Sequence, residues 1–224
     1  YRLVAHAGSA CPPELKRRLH AWAGASSVWE FYGSTEGQFA ACSGPEWESR
    51  PGTLGLPRQG RRLFIDEGVI WCETPDYSRF EYWQDPEKTA AAWRPTVDGG
   101  SAFTVGDLGR LDEDGYLFLD GRREDLIITG GMNVYPAHVE AVLSAVDGVA
   151  EIAVFGVDDD LWGQRVCAAV VGSASDEAIN AAGTAHLAGY QRPKVIYRLT
   201  ELPRNAMGKI QRLELPRHLA IDPD

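Results

Sequence analysis

The chain lacks the features of a membrane-spanning or nucleic-acid-binding protein. Its longer apolar runs, such as Val166 to Val171, are far shorter than the roughly 20 residues that a spanning helix needs. Positive charge is also scarce, because 22 Lys and Arg face 32 Asp and Glu and leave a net charge of −10. This balance argues against nucleic acid as a partner, since phosphate contacts need a basic surface, although a local cationic site can still bind ATP.

Cysteine and histidine are few and widely spaced. The four cysteines (Cys11, Cys42, Cys72 and Cys167) form no C-x-x-C pair, and the five histidines form neither H-x-H nor H-E-x-x-H. We therefore predict four reduced thiols in a cytoplasmic protein and no dedicated zinc site. Because 44% of the residues are hydrophobic, the chain can bury one or two ordinary cores.

The first 44 residues have an α/β pattern. A helix is predicted to begin at Pro12 and Pro13, with Leu15, Leu19 and Trp22 on one apolar face at i, i+4 and i+7. The run 28–32 reads as a buried strand that ends at Gly33. This alternation predicts the last part of a layered α/β domain.

Residues 45–120 are punctuated by Pro and Gly and favour short strands. Strands are predicted at Arg62–Ile65 and Val69–Glu73, which indicates a small β-barrel-like or β-sheet subdomain. A helix should open within Tyr82–Thr89. Tyr82, Trp83 and Trp93 are more readily explained as a packing cluster than as a ligand site.

The charged segment 120–125 separates two folded parts. It holds three acids and two arginines, so it cannot be core, and it is either a hinge or an ordinary surface turn. After it, Gly130-Gly131 predicts a turn and Pro136 predicts the first residue of a helix. Residues 125–224 then read as a compact α+β unit, a small sheet with helices on one face. Its predicted elements are a helix at 136–146, strands at 152–157 and 165–171, a helix at 175–187 and a strand at 193–199.

Several motifs resemble those of the adenylate-forming superfamily, which contains acyl- and aryl-CoA synthetases, nonribosomal peptide adenylation domains and firefly luciferase. The runs 121–125 and 128–136 (GRRED and ITGGMNVYP) resemble its hinge and the hairpin that follows. The run 32–36 (YGSTE) resembles its adenylate-binding motif. G-x-S-x-G is absent, which argues against a hydrolase nucleophile at Ser34. The run 203–210 (PRNAMGKI) resembles the motif that carries the catalytic lysine. The sequence of residues 127–136 resembles fatty-acyl or aryl-CoA ligases more than peptide-synthetase adenylation domains.

The resemblance implies a role for each motif residue. Lys209 falls on the catalytic lysine, Thr35 on a phosphate contact, and Glu36 on a catalytic residue and Mg²⁺ ligand. Asp107 falls on the carboxylate that accepts both ribose hydroxyls, although an aspartate that caps a turn would read the same way. Glu124 falls on the hinge position. The implied nucleotide- and CoA-binding residues are Gly8, Ser9, Ala10, Tyr32, Gly33, Ser34, Asp107, Arg122, Gly130 and Gly131.

The implied protein is an ATP-dependent carboxylic acid–CoA ligase that uses ATP, Mg²⁺ and CoA and releases AMP and pyrophosphate. Residues 1–123 would be the C-terminal part of its large adenylate-binding domain, and residues 124–224 its small mobile C-terminal domain. The chain opens on Tyr1 and contains no Gly-rich phosphate loop, so we expect the N-terminal part of the same enzyme upstream. Two alternatives stay open: an adenylation domain that loads a carrier protein, and a non-catalytic fragment that binds nucleotide.

Overall fold

The structure, a computed structural model, describes residues 2–8, 11–206 and 208–221 of a mixed α/β chain. Two compact units divide at residues 120 and 121. The helices are α1 Pro13–Ala23, α2 Gly44–Ser49, α3 Pro86–Ala92, α4 Pro136–Leu143, α5 Asp176–His186 and α6 Leu215–His218. Short 3₁₀ turns lie at Ala25–Ser27, Asp76–Ser78, Arg123–Asp125 and Arg212–Glu214. None of the helices in the described ranges is long and apolar enough to cross a membrane.

The first unit is built on one ten-stranded sheet. Its strands are β1 Val4–Ala7, β2 Val28–Gly33, β3 Gln38–Ser43, β4 Thr53–Pro57, β5 Arg62–Asp66, β6 Val69–Thr74, β7 Trp93–Pro95, β8 Ser101–Phe103, β9 Asp107–Leu111 and β10 Leu117–Arg122. Along the sheet the order is β1-β2-β3-β4-β10-β9-β6-β8-β7, and β5 pairs with β6. β1 runs parallel to β2, whereas the β2–β3 and β3–β4 pairs are antiparallel. The strands predicted at 28–32, 62–65 and 69–73 are confirmed.

The buried face of α1 is not the one that its apolar spacing predicts. Leu15 and Trp22 are exposed, whereas Lys16 and His20 are buried. The ammonium group of Lys16 forms an ion pair with Glu30, which is itself buried on β2. A buried charge is tolerated when it is paired, so the partner on β2 determines which face of α1 turns inward.

Aromatic rings fill the core of the first unit. The ring centroids of Phe39 and Phe103 are 4.9 Å apart, and Trp93 and Phe80 each lie 5.3 Å from Phe103. The prediction that a helix opens within Tyr82–Thr89 is confirmed by α3, which begins at Pro86. The carboxylate of Asp85 caps it by accepting a hydrogen bond from the Lys88 backbone N–H at 2.9 Å.

The second unit has a five-stranded sheet, and other elements pack against both of its faces. Its strands are β11 Ile127–Thr129, β12 Met132–Val134, β13 Val149–Asp159, β14 Gly163–Gly172 and β15 Val195–Arg198, in the order β12-β11-β14-β13 with β15 paired to β14. Helices α4 and α5 cover one face, where Val154 and Ala168 are buried. Residues of the C-terminal segment, including Leu215 of α6, cover the other face.

This arrangement corrects the prediction that the helices lie on one face. Phe155 and Cys167 point away from α4 and α5 and pack in the cluster that contains Leu215. Because β13 and β14 are apolar at consecutive positions, both of their faces must be removed from water. The predicted start of α4 at Pro136 is confirmed, but the helix ends at Leu143 instead of Val146.

Candidate functional site

A tight hairpin presents the YGSTE motif. Strand β2 ends at Gly33 and β3 begins at Gln38, and the Ser34 backbone N–H donates to the Gly37 carbonyl at 2.9 Å. Thr35 and Glu36 therefore lie at the tip of the hairpin. A Cβ on Gly33 would lie only 2.7 Å from the Cα of Gln38, so the close approach of the two strands requires glycine here.

Strand β1 reaches the same edge of the sheet. Ala7 is paired with Phe31 in the parallel β1–β2 register, and Gly8 follows directly. The strand therefore ends beside the start of the hairpin, where Tyr32 lies. Ser9 and Ala10, which are predicted binding residues like Gly8, lie outside the described residues.

Tyr32 and Asp107 are joined by a hydrogen bond. The Tyr32 hydroxyl donates to Oδ2 of Asp107 at 2.5 Å, although the two residues are 75 positions apart in the sequence. Asp107 is the first residue of β9 and is buried. This contact connects the hairpin to Asp107, the predicted ribose-binding carboxylate, which lies in a distant part of the sequence.

Glu36 also has a tyrosine partner. The Tyr82 hydroxyl donates to Oε1 of Glu36 at 2.8 Å, and the Lys88 ammonium lies 4.1 Å from the centre of the Tyr82 ring. Partial burial would raise the pKa of Glu36, but the Tyr82 hydrogen bond and the Lys88 charge act against it, and the pKa is lowered. Burial, followed by the hydrogen bond and charge of Glu36, raises the pKa of Tyr82 to about 12.

The predicted aromatic packing cluster is confirmed for Tyr82 and Trp93 but is wrong for Trp83. Tyr82 and Trp93 both pack against Phe80, with ring centroids 5.4 and 5.0 Å away, but Trp83 is 88% exposed and lies outside the cluster. Tyr82 also contacts Glu36, which sequence reasoning missed. The apolar character of its ring predicts packing, whereas a hydroxyl contact across 46 positions leaves no local signal.

In the second unit, a two-residue turn joins β11 to β12. Gly130 and Gly131 have φ angles of 55° and 76°, as a tight hairpin turn requires. A Cβ on Gly130 would lie 2.9 Å from Cε3 of Trp162, and the Gly130 backbone N–H donates to the Trp162 carbonyl at 2.8 Å. The double glycine thus lies against an indole ring that is itself 54% exposed. Trp162 is a second neighbour of the predicted site that the sequence did not reveal.

The charged segment that precedes this hairpin is a single 3₁₀ turn, Arg123–Asp125. Arg122 ends β10, and its guanidinium donates to Glu124 at 3.2 Å on the protein surface. Asp125 is half-buried and accepts a hydrogen bond from Arg212 at 2.6 Å. A second nitrogen of the Arg212 guanidinium, Nη2, donates to Glu140 of α4 at 2.9 Å.

The Arg212 cluster (Asp125, Glu140 and Arg212) anchors the chain just after the predicted catalytic lysine. Burial would lower the pKa of Arg212, but the charges of Glu140 and Asp125 outweigh it and raise the pKa. Glu140 also accepts the Val154 backbone N–H at 2.7 Å. The cluster therefore connects the 3₁₀ turn, α4 and β13 to the segment that begins three residues after Lys209.

Lys209 lies on an exposed loop that is closed by its own hydrogen bonds. The Asn205 backbone N–H donates to the Lys209 carbonyl at 2.9 Å, and the Lys209 N–H donates to the Asn205 side chain at 3.0 Å. Arg204 donates to the Gly208 carbonyl at 2.7 Å and pairs with Glu151 of β13. These hydrogen bonds hold the backbone of the loop. The side chain of Lys209 is exposed on the surface.

Comparison with known proteins identifies the class to which these motifs belong. Residues 138–209 match the family described as the AMP-binding enzyme C-terminal domain. The chain belongs to the adenylate-forming superfamily of AMP-binding enzymes.

Individual relatives are CoA ligases. The chain is 40% identical over 205 residues to a 2-succinylbenzoate–CoA ligase of a Geobacillus species, and this match covers 84% of the chain and 40% of the relative. It also superposes on two structures of o-succinylbenzoate CoA synthetase (MenE) from Bacillus subtilis. The complex with the acyl-adenylate OSB-AMP has a TM-score of 0.86, 30% identity and coverage of 96% of this chain and 46% of MenE. The complex with ATP and magnesium has a TM-score of 0.83, 29% identity and coverage of 96% and 46%. The chain thus spans about 40% of the length of the curated relatives that it matches first.

Proposed function

We propose that this protein is an ATP-dependent carboxylic acid–CoA ligase. In the first step, an oxygen of the acid attacks the α-phosphate of ATP, an acyl-adenylate forms and pyrophosphate leaves. In the second step, the CoA thiol attacks the acyl carbon, a thioester forms and AMP leaves. The observation that carries this proposal is the hydrogen bond between Tyr32 and Asp107, which brings two separate nucleotide motifs of the family into contact.

The nucleotide is proposed to bind along the edge where the hairpin meets β9. The ring of Tyr32 would stack on adenine, and Asp107 would accept the two ribose hydroxyls. A carboxylate has about four lone-pair positions, so the Tyr32 hydroxyl and two ribose hydroxyls can share it. Arg122 would donate to ribose or phosphate oxygens. Further nucleotide contacts are proposed for Gly8, Ser9, Ala10, Gly33, Ser34 and Thr35.

Glu36 is proposed to hold the Mg²⁺ ion that accompanies ATP. Its lowered pKa keeps it ionised, and Tyr82 fixes one of its oxygens. A single protein carboxylate suits magnesium, which is usually bound through one or two carboxylates and substrate phosphates. When bound, the ion would offset phosphate charge.

Lys209 is proposed as the catalytic cation. The attack of a carboxylate on a triphosphate brings anions together, so the barrier is mainly electrostatic and a positioned cation lowers it. The ammonium group of Lys209 would lie between the acid and the α-phosphate. The hydrogen bonds that Lys209 makes with Asn205, and the one that Arg204 donates to Gly208, support this role because they fix the backbone at the lysine and at the residue before it.

The two steps are proposed to use two arrangements of the chain. Residues 1–123, the end of the large domain with its β-barrel-like subdomain, would hold the nucleotide, and residues 124–224 would form the mobile small domain. Rotation at Glu124 would withdraw Lys209 and bring the Gly130–Gly131 turn to the adenylate. Glycine fits beside a narrow thiol channel, because a side chain would fill it. Four free thiols support a reducing, cytoplasmic location.

Calorimetry with AMP on the 224-residue chain tests the nucleotide site. Asp107→Asn keeps one oxygen, which can accept the hydrogen bond from the Tyr32 hydroxyl, but replaces the other carboxylate oxygen with an NH₂ group, which is a donor. We expect this variant to bind AMP about 10- to 100-fold more weakly, as is usual when a charged hydrogen-bond partner is lost. Asp98→Asn, at an exposed carboxylate that pairs with Arg62, is the matched control and should bind like the parent. Equal AMP affinity in the parent and Asp107→Asn would contradict the proposal.

A further inference from the structure

A polar cleft of about 260 Å³ lies between the start of β3 and the loops that follow β4 and β6. Two arginines line it: Arg58 directly follows β4, and Arg61 directly precedes β5. Gln38, Gln59 and Ser78 supply further polar groups, and Tyr77 stands at its edge, 90% exposed. Within the described ranges, no carboxylate lines this cleft. Its charge is therefore positive in a protein whose net charge is −10.

Neither arginine is neutralised by an acid in the part of the chain that the structure describes. Arg58 stacks over the ring of Phe31 at 5.3 Å, and Arg61 donates to the sulfur of Cys72 at 3.7 Å. These contacts position the guanidinium groups but leave most of their five N–H donors available. The adjacent Arg62 differs, because it pairs with both Glu73 and Asp98.

The cleft is adjacent to the proposed catalytic hairpin. A Cβ on Gly37 would lie 3.5 Å from Nη1 of Arg61, so this guanidinium packs against the residue that directly follows Glu36. Gln38, the first residue of β3, is part of the lining. A group bound in the cleft would therefore contact residues that follow the proposed metal ligand, Glu36, by one or two positions in the sequence.

We propose that this cleft binds a second anionic group of a substrate, a carboxylate or a phosphate, through Arg58 and Arg61. Guanidinium forks match the oxygens of both groups, and the amide and hydroxyl side chains would complete the hydrogen bonding. A lining of this kind does not suit an apolar acyl tail. The inference rests on the proposed ligase function. Either the acid substrate is a dicarboxylic acid whose second carboxylate binds in the cleft, or the thiol substrate carries a phosphate that binds there.

Calorimetry with small probes on the 224-residue chain tests the cleft. The probes are phthalate against benzoate, which differ by one carboxylate, and adenosine 3′,5′-bisphosphate against adenosine, which differ by the phosphates. Arg58→Gln/Arg61→Gln should weaken binding of the phthalate or of the bisphosphate by about 10- to 100-fold. The matched control is Arg62→Gln/Arg94→Gln, which removes the same charge from two ion-paired arginines outside the cleft and should change binding less than about threefold.

The outcomes separate the sources of the anion and the two proposals. Phthalate binding that depends on the cleft assigns it to the acid, and bisphosphate binding that depends on it assigns it to the thiol substrate. The proposal is overturned if neither probe binds, or if both double variants lose affinity equally. Thermal melting checks that each variant is folded, and Arg61→Lys gives a milder variant if the double variant is not. AMP binding should survive in both double variants, so a failure of the nucleotide site is seen separately.

Discussion

Tyr82 shows how a single side chain can serve both the core and the site. Its ring packs against Phe80 and under Lys88, and its hydroxyl reaches Glu36. The packing fixes the direction of the hydroxyl, and the hydroxyl fixes one oxygen of the carboxylate. Glu36 is the proposed Mg²⁺ ligand, and groups that orient a metal ligand commonly affect metal affinity about 10- to 100-fold.

Tyr82→Phe removes this hydroxyl and keeps the ring. We expect the Mg²⁺ concentration needed for half-maximal acid-dependent pyrophosphate exchange to rise about tenfold or more in the complete ligase, because Glu36 loses its orienting partner. Tyr116→Phe is the matched control, since Arg50 contacts only the ring face of Tyr116 in the described structure. An unchanged Mg²⁺ dependence in Tyr82→Phe would show that the contact does not orient the carboxylate.

Cys42 allows a pH-dependent prediction. Burial raises the pKa of its thiol from 9.0 to about 12. A group whose pKa is raised by folding stabilises the folded state below its unfolded pKa and loses that contribution as the pH rises through its folded pKa. The parent chain should therefore lose stability relative to Cys42→Ala between pH 9 and about 12. Urea unfolding at pH 8 and at pH 11 measures the difference, which would be the same at both values if the thiol were not desolvated.

At the scale of elements, the Arg212 cluster holds together segments that come from three places in the sequence. Asp125 belongs to the 3₁₀ turn at the proposed hinge, Glu140 to α4, and Arg212 to the turn after the lysine loop. All three side chains are less than one-fifth exposed. The lysine loop and the hinge turn are therefore expected to move as one body in the proposed rotation of residues 124–224.

Arg212→Met should destabilise the chain by about 3 kcal/mol, because it leaves two half-buried carboxylates without their shared cation. Chemical denaturation followed by tryptophan fluorescence measures this loss. Arg217→Met changes the same residue type on an exposed surface, 4.0 Å from Glu214, and should cost no more than about 0.5 kcal/mol. A similar small loss in both variants would show that the cluster does not hold the segments together.

Local patterns predicted the elements better than their faces. The strands that were predicted, and α3, α4 and α5, begin within a few residues of where turn residues, Pro and apolar runs predict them. The face of α1 was wrong because Lys16 is paired with Glu30, 14 residues away on another element. The one-sided cover of the second sheet was also wrong. The strands β13 and β14 are apolar at successive positions, which indicates burial on both faces of the sheet. A sheet that is buried on one face only would have alternating apolar and polar residues.

For the whole molecule, the motif residues could be found from the sequence, but their partners could not. Tyr32, Glu36, Asp107 and Lys209 stand in contiguous patterns that are typical of the adenylate-forming superfamily. The hydrogen bonds that orient them come from Tyr82 and Asn205 and from the fold that brings β2 to β9. Such contacts depend on strand order and register, which short-range patterns do not determine.

The central claim is that Lys209 serves the first of two half-reactions and is withdrawn for the second. The most direct test measures both half-reactions in Lys209→Ala of the complete ligase. We expect acid-dependent pyrophosphate exchange to fall by about 10²–10³ or more, and thioester formation from supplied acyl-adenylate and CoA to stay within a few-fold of the parent. Equal loss of both half-reactions, or unchanged exchange, would contradict the account.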